Sequence, residues 1–374
     1  MRTPICDTLG IEFPLFAFSH CRDAVAAVSR AGGFGVLGAL AFSPEQLEME
    51  LKWIDDHTDG KPYGVDLVMP STYIGKGDAE APTAAQLEAL IPQGHRDFVD
   101  GLLAKHGVPK DLKVEEHDVV AAGLGVDLQA GANVDISLAH PKVRLLVNAL
   151  GPPPKEVVDK AHDHDVLVGA LVGSAHHAQK QVDIGVDVIV AQGTEAGGHC
   201  GEISTMVLIP DVVDQVGYKT PVLAAGGIGT GRQMAAALAL GAQGAWTGSI
   251  WLTVAEADTG AIALENMLNA TSRDTVRSRA YTGKPARQLR SAWTEAFDDP
   301  NGPGTLPMPL QGILHNEAAR KFTKAGAKPL VGFPVGQIVG RMNRVRPASE
   351  IVFDLITECA ETLERLGGLA STGE

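Results

Sequence analysis

Short runs of apolar and β-branched residues alternate with longer amphipathic stretches along most of the first 270 residues. Eight runs stand out: Phe13–Phe18, Phe34–Leu37, Tyr63–Met69, Arg144–Leu150, Val166–Leu171, Val186–Gln192, Val222–Gly226 and Gly244–Gly248. Short apolar runs bounded by Gly, Pro or Asp predict buried strands. The 3.6-residue periodicity between them predicts helices over Asp23–Ala31, Pro44–Asp55, Lys155–His164, Ser174–Asp183 and Gly231–Leu240. Strands alternating with helices imply βαβ units around a parallel sheet, and eight such units imply an α/β fold of the TIM (β/α)8 barrel type.

The alternation breaks after the third run. Residues Pro70 to Pro141 are polar, rich in Gly and Asp, and carry helical patches at Thr83–Ile91 and His95–His106, so they read as an insertion. Such a segment either covers the C-terminal mouth of a barrel, where sites lie, or makes an inert surface excursion. Beyond about Asn269 a tail follows, with Pro and Gly clusters at Asp299–Pro309 and Gly332–Gly340 and an amphipathic helix predicted over Ser349–Leu366. The expected organisation is a barrel over 1–270, with the insertion at about 70–141, and a helical C-terminal extension over 271–374 packing on it. Gln233–Ala255 carries no charge and by length resembles a membrane span. Gly241, Gly244 and Gly248 interrupt it and divide it into a helix, a turn and a buried strand.

Composition narrows the class. With 45% apolar residues in 374, the chain can fill a large core, and its net charge of −14 argues against nucleic acid or an anionic membrane as partner. Cys6, Cys21, Cys200 and Cys359 lie far apart without a C-x-x-C pair, and Met1–Gly10 has no basic and apolar regions of a secretory signal. A reduced, cytoplasmic setting is expected.

The chemistry concentrates at the ends of the last three runs. The seventh ends in Ala225-Gly226-Gly227 and the eighth in Trp246-Thr247-Gly248-Ser249. Loops after strands seven and eight of a barrel expose backbone N–H groups to phosphate oxygens, which an acidic chain does not otherwise attract. The sixth run leads into Gln192-Gly193-Thr194-Glu195-Ala196-Gly197-Gly198-His199-Cys200-Gly201. His199 sits where barrel catalysis is located and can take or hold a proton near neutral pH, with Gln192 and Gly197 beside a planar ligand on the same rim. His162 and His164, or His176 and His177, lack zinc spacing with partners, so no metal site is expected. Cys200 has no neighbouring cysteine and reads as filler.

The strings GTEAGGHCG, AAGGIGTG and ALGAQGAWTGS resemble the nitronate monooxygenase family, formerly 2-nitropropane dioxygenases; PLFAFS and AGGFGVLG match its opening more loosely. The resemblance implies FMN on a barrel, with its phosphate at Gly226, Gly227, Gly248 and Ser249, and its ring near Gln192, Gly197 and Gly198. It also implies His199 as base, dioxygen and a small molecule as substrates, and cofactor contacts from Ala17, Phe18, Asp66, Asn148, Trp246 and Thr247. The implied activity is oxidation of alkyl nitronates to a carbonyl compound and nitrite. The chain departs from the family at Ala17-Phe18-Ser19-His20, where a Gln and then a Met are usual, and at Asp66, where Asn is typical. Flavin-type enoyl-acyl-carrier-protein reductases share the Glu-Ala-Gly-Gly-His loop, so an NAD(P)H-dependent reductase acting on a quinone or enoyl thioester is the alternative. A non-catalytic flavin-binding protein is a third reading. Gln337 is a candidate ring contact from the tail, and the Pro285–Leu314 and Ser349–Leu366 surfaces suit a homodimer.

Overall fold

A computed structural model describes residues 1–40, 42–69, 83–114 and 130–371. All eight predicted runs are strands of one closed parallel barrel. In chain order these are β1 (Leu15–Ser19), β2 (Phe34–Gly38), β3 (Tyr63–Leu67), β4 (Val143–Asn148), β5 (Leu167–Val172) and β6 (Val188–Gln192). The two-residue strand β7 (Gly198–His199) stands outside the barrel, which β8 (Val222–Ala225) and β9 (Gly244–Thr247) complete, with Phe16 beside Trp246 at the closure.

Strand parity sorts the side chains into two layers. Phe16, Phe34, Val36, Leu145, Val147, Val188, Val190, Leu223 and Trp246 fill the interior. Their neighbours Leu15, Ala17, Leu37, Val65, Leu146, Ile189, Ala224 and Ala245 pack outward beneath the helices. Burial on both faces is why each strand reads as a continuous apolar run. The helix Pro4–Leu9 closes the barrel floor, where Ile5, Cys6 and Leu9 join the interior cluster and Thr3 Oγ1 donates to Gln243 O at 2.5 Å. The uncharged stretch resolves as the helix Gly231–Ala239, the strand β9 and a 3₁₀ turn, Ser249–Thr253. Among the described residues no helix is long and apolar enough to cross a membrane.

The segment after β3 divides. Residues 70–82 and 115–129 lie outside the described residues. The helix Ala130–Ala139 joins the barrel's outer layer through Val134 and Leu138. The helices Ala84–Ala89 and Gln93–Lys105 instead share a second core with two tail helices, Ala292–Asp298 and Leu310–Lys324. There Ile91, Val99 and Leu103 pack with Trp293, Phe297, Leu314 and Phe322, and Arg96 pairs with Glu317 at 3.4 Å. The larger apolar side chains of the Pro285–Leu314 segment, among them Trp293, Phe297, Leu310 and Leu314, are thus mostly buried within the chain. On the closing helix, Ala348–Ser371, Phe353 and Leu369 stay exposed.

After β9 the tail returns to the barrel mouth as β10 (Thr275–Ser278) and β11 (Ala286–Leu289), which form an antiparallel sheet in the order β10-β11-β7. Ala286 pairs with His199 and Arg287 with Gly198. The loop after β6 is therefore held as a strand by a segment far away in sequence.

Candidate active site

The C-terminal ends of the barrel strands surround a cavity of about 260 Å³. On one side its wall comes from the loops after β6, β8 and β9. Glu195 anchors the first of these: its carboxylate accepts from the Thr205 N–H at 3.0 Å and from Thr205 Oγ1 at 2.8 Å, at the start of the helix Thr205–Val216. A carboxylate there also opposes the positive end of the helix. Glu195 O accepts from Gln337 N at 2.9 Å, and Arg287 Nε donates to Thr194 O at 2.7 Å. The tail passes so close that a Cβ on Gly197 would lie 2.7 Å from Gly336 N, which requires glycine at 197. Gly226 and Gly227 adopt φ of 104° and 70°, a left-handed backbone that side chains disfavour, so the turn after β8 runs through two glycines. The 3₁₀ turn after Gly248 starts without a side-chain cap.

His199 reaches the cavity from β7. Its Nε2 lies 2.8 Å from Thr282 Oγ1, and among the described residues no protein group engages Nδ1. Burial, with help from the nearby Lys284 ammonium, lowers its pKa to about 4, so the imidazole is neutral at physiological pH. Cys200 turns its thiol to Thr194 O at 3.6 Å, does not line the cavity, and is held in the thiol form by burial.

The opposite wall belongs to β1, β2 and β3. Phe18 stacks on Trp246 at 6.4 Å between centroids, and His20 sets its ring edge against Phe18 with Nδ1 2.9 Å from Gly38 O. Asp66 is the inward residue of β3. It is 3% exposed, its Oδ1 has no partner among the described residues, and burial pushes its pKa well up, so it is a neutral carboxylic acid at physiological pH.

The structure thus brings together Phe18, Asp66, Gln192, Gly197, Gly198, His199, Gly226, Gly227, Trp246, Thr247, Gly248 and Ser249. Thr247 contributes backbone only, since its hydroxyl donates to Phe16 O and accepts from Trp251 Nε1. Ala17 and Asn148 have the outward parity and stand behind the wall. Asn148 instead ties two loops, its Oδ1 accepting from Met69 N and its Nδ2 donating to Gly151 O. Gln337 lies on the outer side of the Gly226-Gly227 turn. Sequence reasoning missed the tail residues Tyr281, Thr282, Phe333 and Ile338, which cover the mouth; the described helices of the insertion do not reach it. His162 pairs with Asp187 at 2.8 Å on the outer surface. Among the described residues no three His, Cys, Asp or Glu side chains gather as metal ligands.

A closed parallel barrel with a glycine-built cavity and a neutral histidine at its C-terminal mouth is the architecture of a small-molecule barrel enzyme. Comparison with known proteins specifies it further. The nitronate monooxygenase family matches residues 2–358, and the chain belongs to that family of oxidoreductases. A Mycobacterium tuberculosis protein provisionally named a monooxygenase is 52% identical over 99% of both chains. Among solved structures, a nitroalkane oxidase from Streptomyces ansochromogenes is 25% identical with a TM-score of 0.78, covering 97% of this chain and 99% of its own. FabK from Thermotoga maritima is 26% identical with a TM-score of 0.74, covering 99% of each.

Proposed function

We propose that the protein catalyses the FMN-dependent oxidation of alkyl nitronates by dioxygen, giving a carbonyl compound and nitrite. The observation that carries this reading is the neutral His199 at the edge of a largely apolar cavity whose few polar side chains include Gln192 and Asp66. The residues present suit a flavin mononucleotide. The turn of Gly226 and Gly227 and the uncapped start at Gly248 and Ser249 offer backbone N–H groups to its phosphate, and Ser249 Oγ, which accepts from Gly336 N at 2.9 Å, retains a proton to donate. The Gln192 amide and the unpaired Asp66 carboxyl suit the polar edge of the ring, Asp66 as a neutral acid in place of the family's usual amide. When bound, the flavin supplies the electron transfer that side chains cannot.

The chain's own residues do the rest. Where the substrate arrives as the neutral nitroalkane, His199 accepts its α-carbon proton at Nδ1 and so yields the nitronate, with Nε2–H donating to Thr282 Oγ1 and the threonine hydroxyl donating onward to Lys284 O at 3.4 Å. Phe18, Trp246 and the tail residues Tyr281 and Phe333 exclude water from the reacting carbon. The test is anaerobic bleaching of the flavin band by propionate 3-nitronate, with NADH and NADPH as parallel samples. Bleaching by the nitronate alone is expected.

A second reading, reduction of a quinone or an enoyl thioester by NAD(P)H, is favoured by the changed side chains at Phe18, His20 and Asp66, which leave room for a different substrate. Bleaching by a nicotinamide without the nitronate would decide for it.

A further inference from the structure

A second chamber, of about 280 Å³, lies on the far side of Tyr281 and Phe333, which line both it and the catalytic cavity. Its volume is near the lower end of small-molecule pockets, roughly 300 Å³. The helix Ala261–Leu268 begins at its wall with Gly260 as N-cap and no capping side chain. Its first internal bond is Leu264 N–H to Gly260 O, so the N–H groups of Ala261, Ile262 and Ala263 have no intrahelical acceptor. His315, from the helix Leu310–Lys324, is 6% exposed and lines the chamber. Its ring packs on Tyr281 at 4.2 Å and Trp293 at 5.1 Å, its Nδ1 lies 3.5 Å from Asn316 Oδ1, and Nε2 meets no protein group among the described residues. Burial keeps the imidazole neutral, with its pKa lowered to about 4. On the same helix Arg320 contributes a guanidinium whose buried Nε has no partner among the described residues. Among the described residues no Asp or Glu lines this space, so the cation faces a wall without a counter-charge.

We propose that this chamber binds an aliphatic monocarboxylate, its carboxylate held by Arg320 and the start of the helix Ala261–Leu268, its chain lying on Ile262, Phe322 and Phe333. One guanidinium beside a neutral imidazole, in a wall whose other residues are uncharged, answers one negative charge. A phosphate, carrying nearly two, would keep charge uncompensated. The carboxylate belongs either to a separate small acid or to the far end of a substrate whose reacting end lies past Tyr281. The binding itself does not rest on the reaction assigned above.

The test titrates the full chain with hexanoate, hexan-1-ol or inorganic phosphate and follows the thermal midpoint. Hexanoate is expected to raise it saturably, with no effect of the other two. Arg320→Gln should weaken hexanoate by about tenfold or more. Ala319→Phe fills the chamber while keeping the arginine, should abolish the shift, and carries the test if Arg320→Gln does not fold. No shift with hexanoate, a larger shift with phosphate, or unchanged hexanoate affinity in both variants overturns the proposal. A kinetic arm separates the two sources and does rest on the nitronate reading. Competition by hexanoate against the nitronate of 6-nitrohexanoate, but not of 1-nitrohexane, assigns the carboxylate to the substrate. Competition against neither assigns it to a separate acid, and competition against both places hexanoate in the catalytic cavity and rejects the chamber.

Discussion

The two walls of the catalytic cavity are built on different terms. Behind the loops after β6, β8 and β9, most polar groups are answered: Glu195 by Thr205 and Gln337, Thr194 O by Arg287, Ser249 Oγ by Gly336 N. The wall from β1 to β3 presents side chains, and they are under-supplied. Asp66 Oδ1 has no partner among the described residues, and His20 has only Gly38 O, with its pKa lowered by burial. A wall of satisfied backbone positions a cofactor whatever the substrate, whereas a wall of interchangeable side chains can change selectivity without dismantling the site.

The largest effect falls on the first wall. His199→Asn keeps size and polarity but removes the base, and nitrite release from a neutral nitroalkane should drop by about 10²–10⁴-fold with an unchanged circular dichroism spectrum; full activity in that variant would break the assigned role. Next comes acid. Burial lowers the pKa of His199 and His315 to about 4 in the folded protein, below the ordinary imidazole value of 6.5, so the unfolded chain binds more protons as pH falls. Stability should be complete above 6.5 and decline toward pH 4, by up to about 3 kcal/mol for each histidine, which urea midpoints across that window measure. A flat profile would show that the imidazoles are not buried as described.

Glu195→Gln should cost about 1–3 kcal/mol, read as a lower thermal midpoint together with faster proteolysis between Gly193 and Gly201. Destabilisation confined to the midpoint would mean that the carboxylate supports the helix Thr205–Val216 but not the loop. The remaining effect belongs to the second wall and has the opposite sign. The folded pKa of Asp66 is raised, so its contribution is complete below the unfolded value and is lost as pH rises toward the folded one. Asp66→Asn should therefore leave stability near pH 4 almost unchanged and raise it increasingly toward pH 8. Equal midpoints at both pH values would show that the carboxyl finds a partner in solution.

Legibility followed the same divide. The barrel was readable because strands buried on both faces are written as continuous apolar runs, and the His199 loop because Gly197 and Gly226 answer steric demands that no other residue meets. Strand parity is legible too: Ala17 and Phe18 are adjacent on one strand and cannot both face inward, and Asn148 follows the inward Val147. What covers the mouth was not legible. Tyr281, Thr282 and Phe333 are single residues in an irregular tail, and β7 exists only because Ala286 returns to His199. Pairing over such a separation leaves no periodic trace near either partner.

The floor of the barrel has a consequence for the making of the protein. Ile5, Cys6 and Leu9 pack against an interior that includes Leu223 and Trp246, so these apolar residues are synthesised well before the last barrel strand gives them a place to go. During synthesis the helix Pro4–Leu9 is an unclaimed greasy segment, available to chaperones, and its docking reports that the ring of strands has closed.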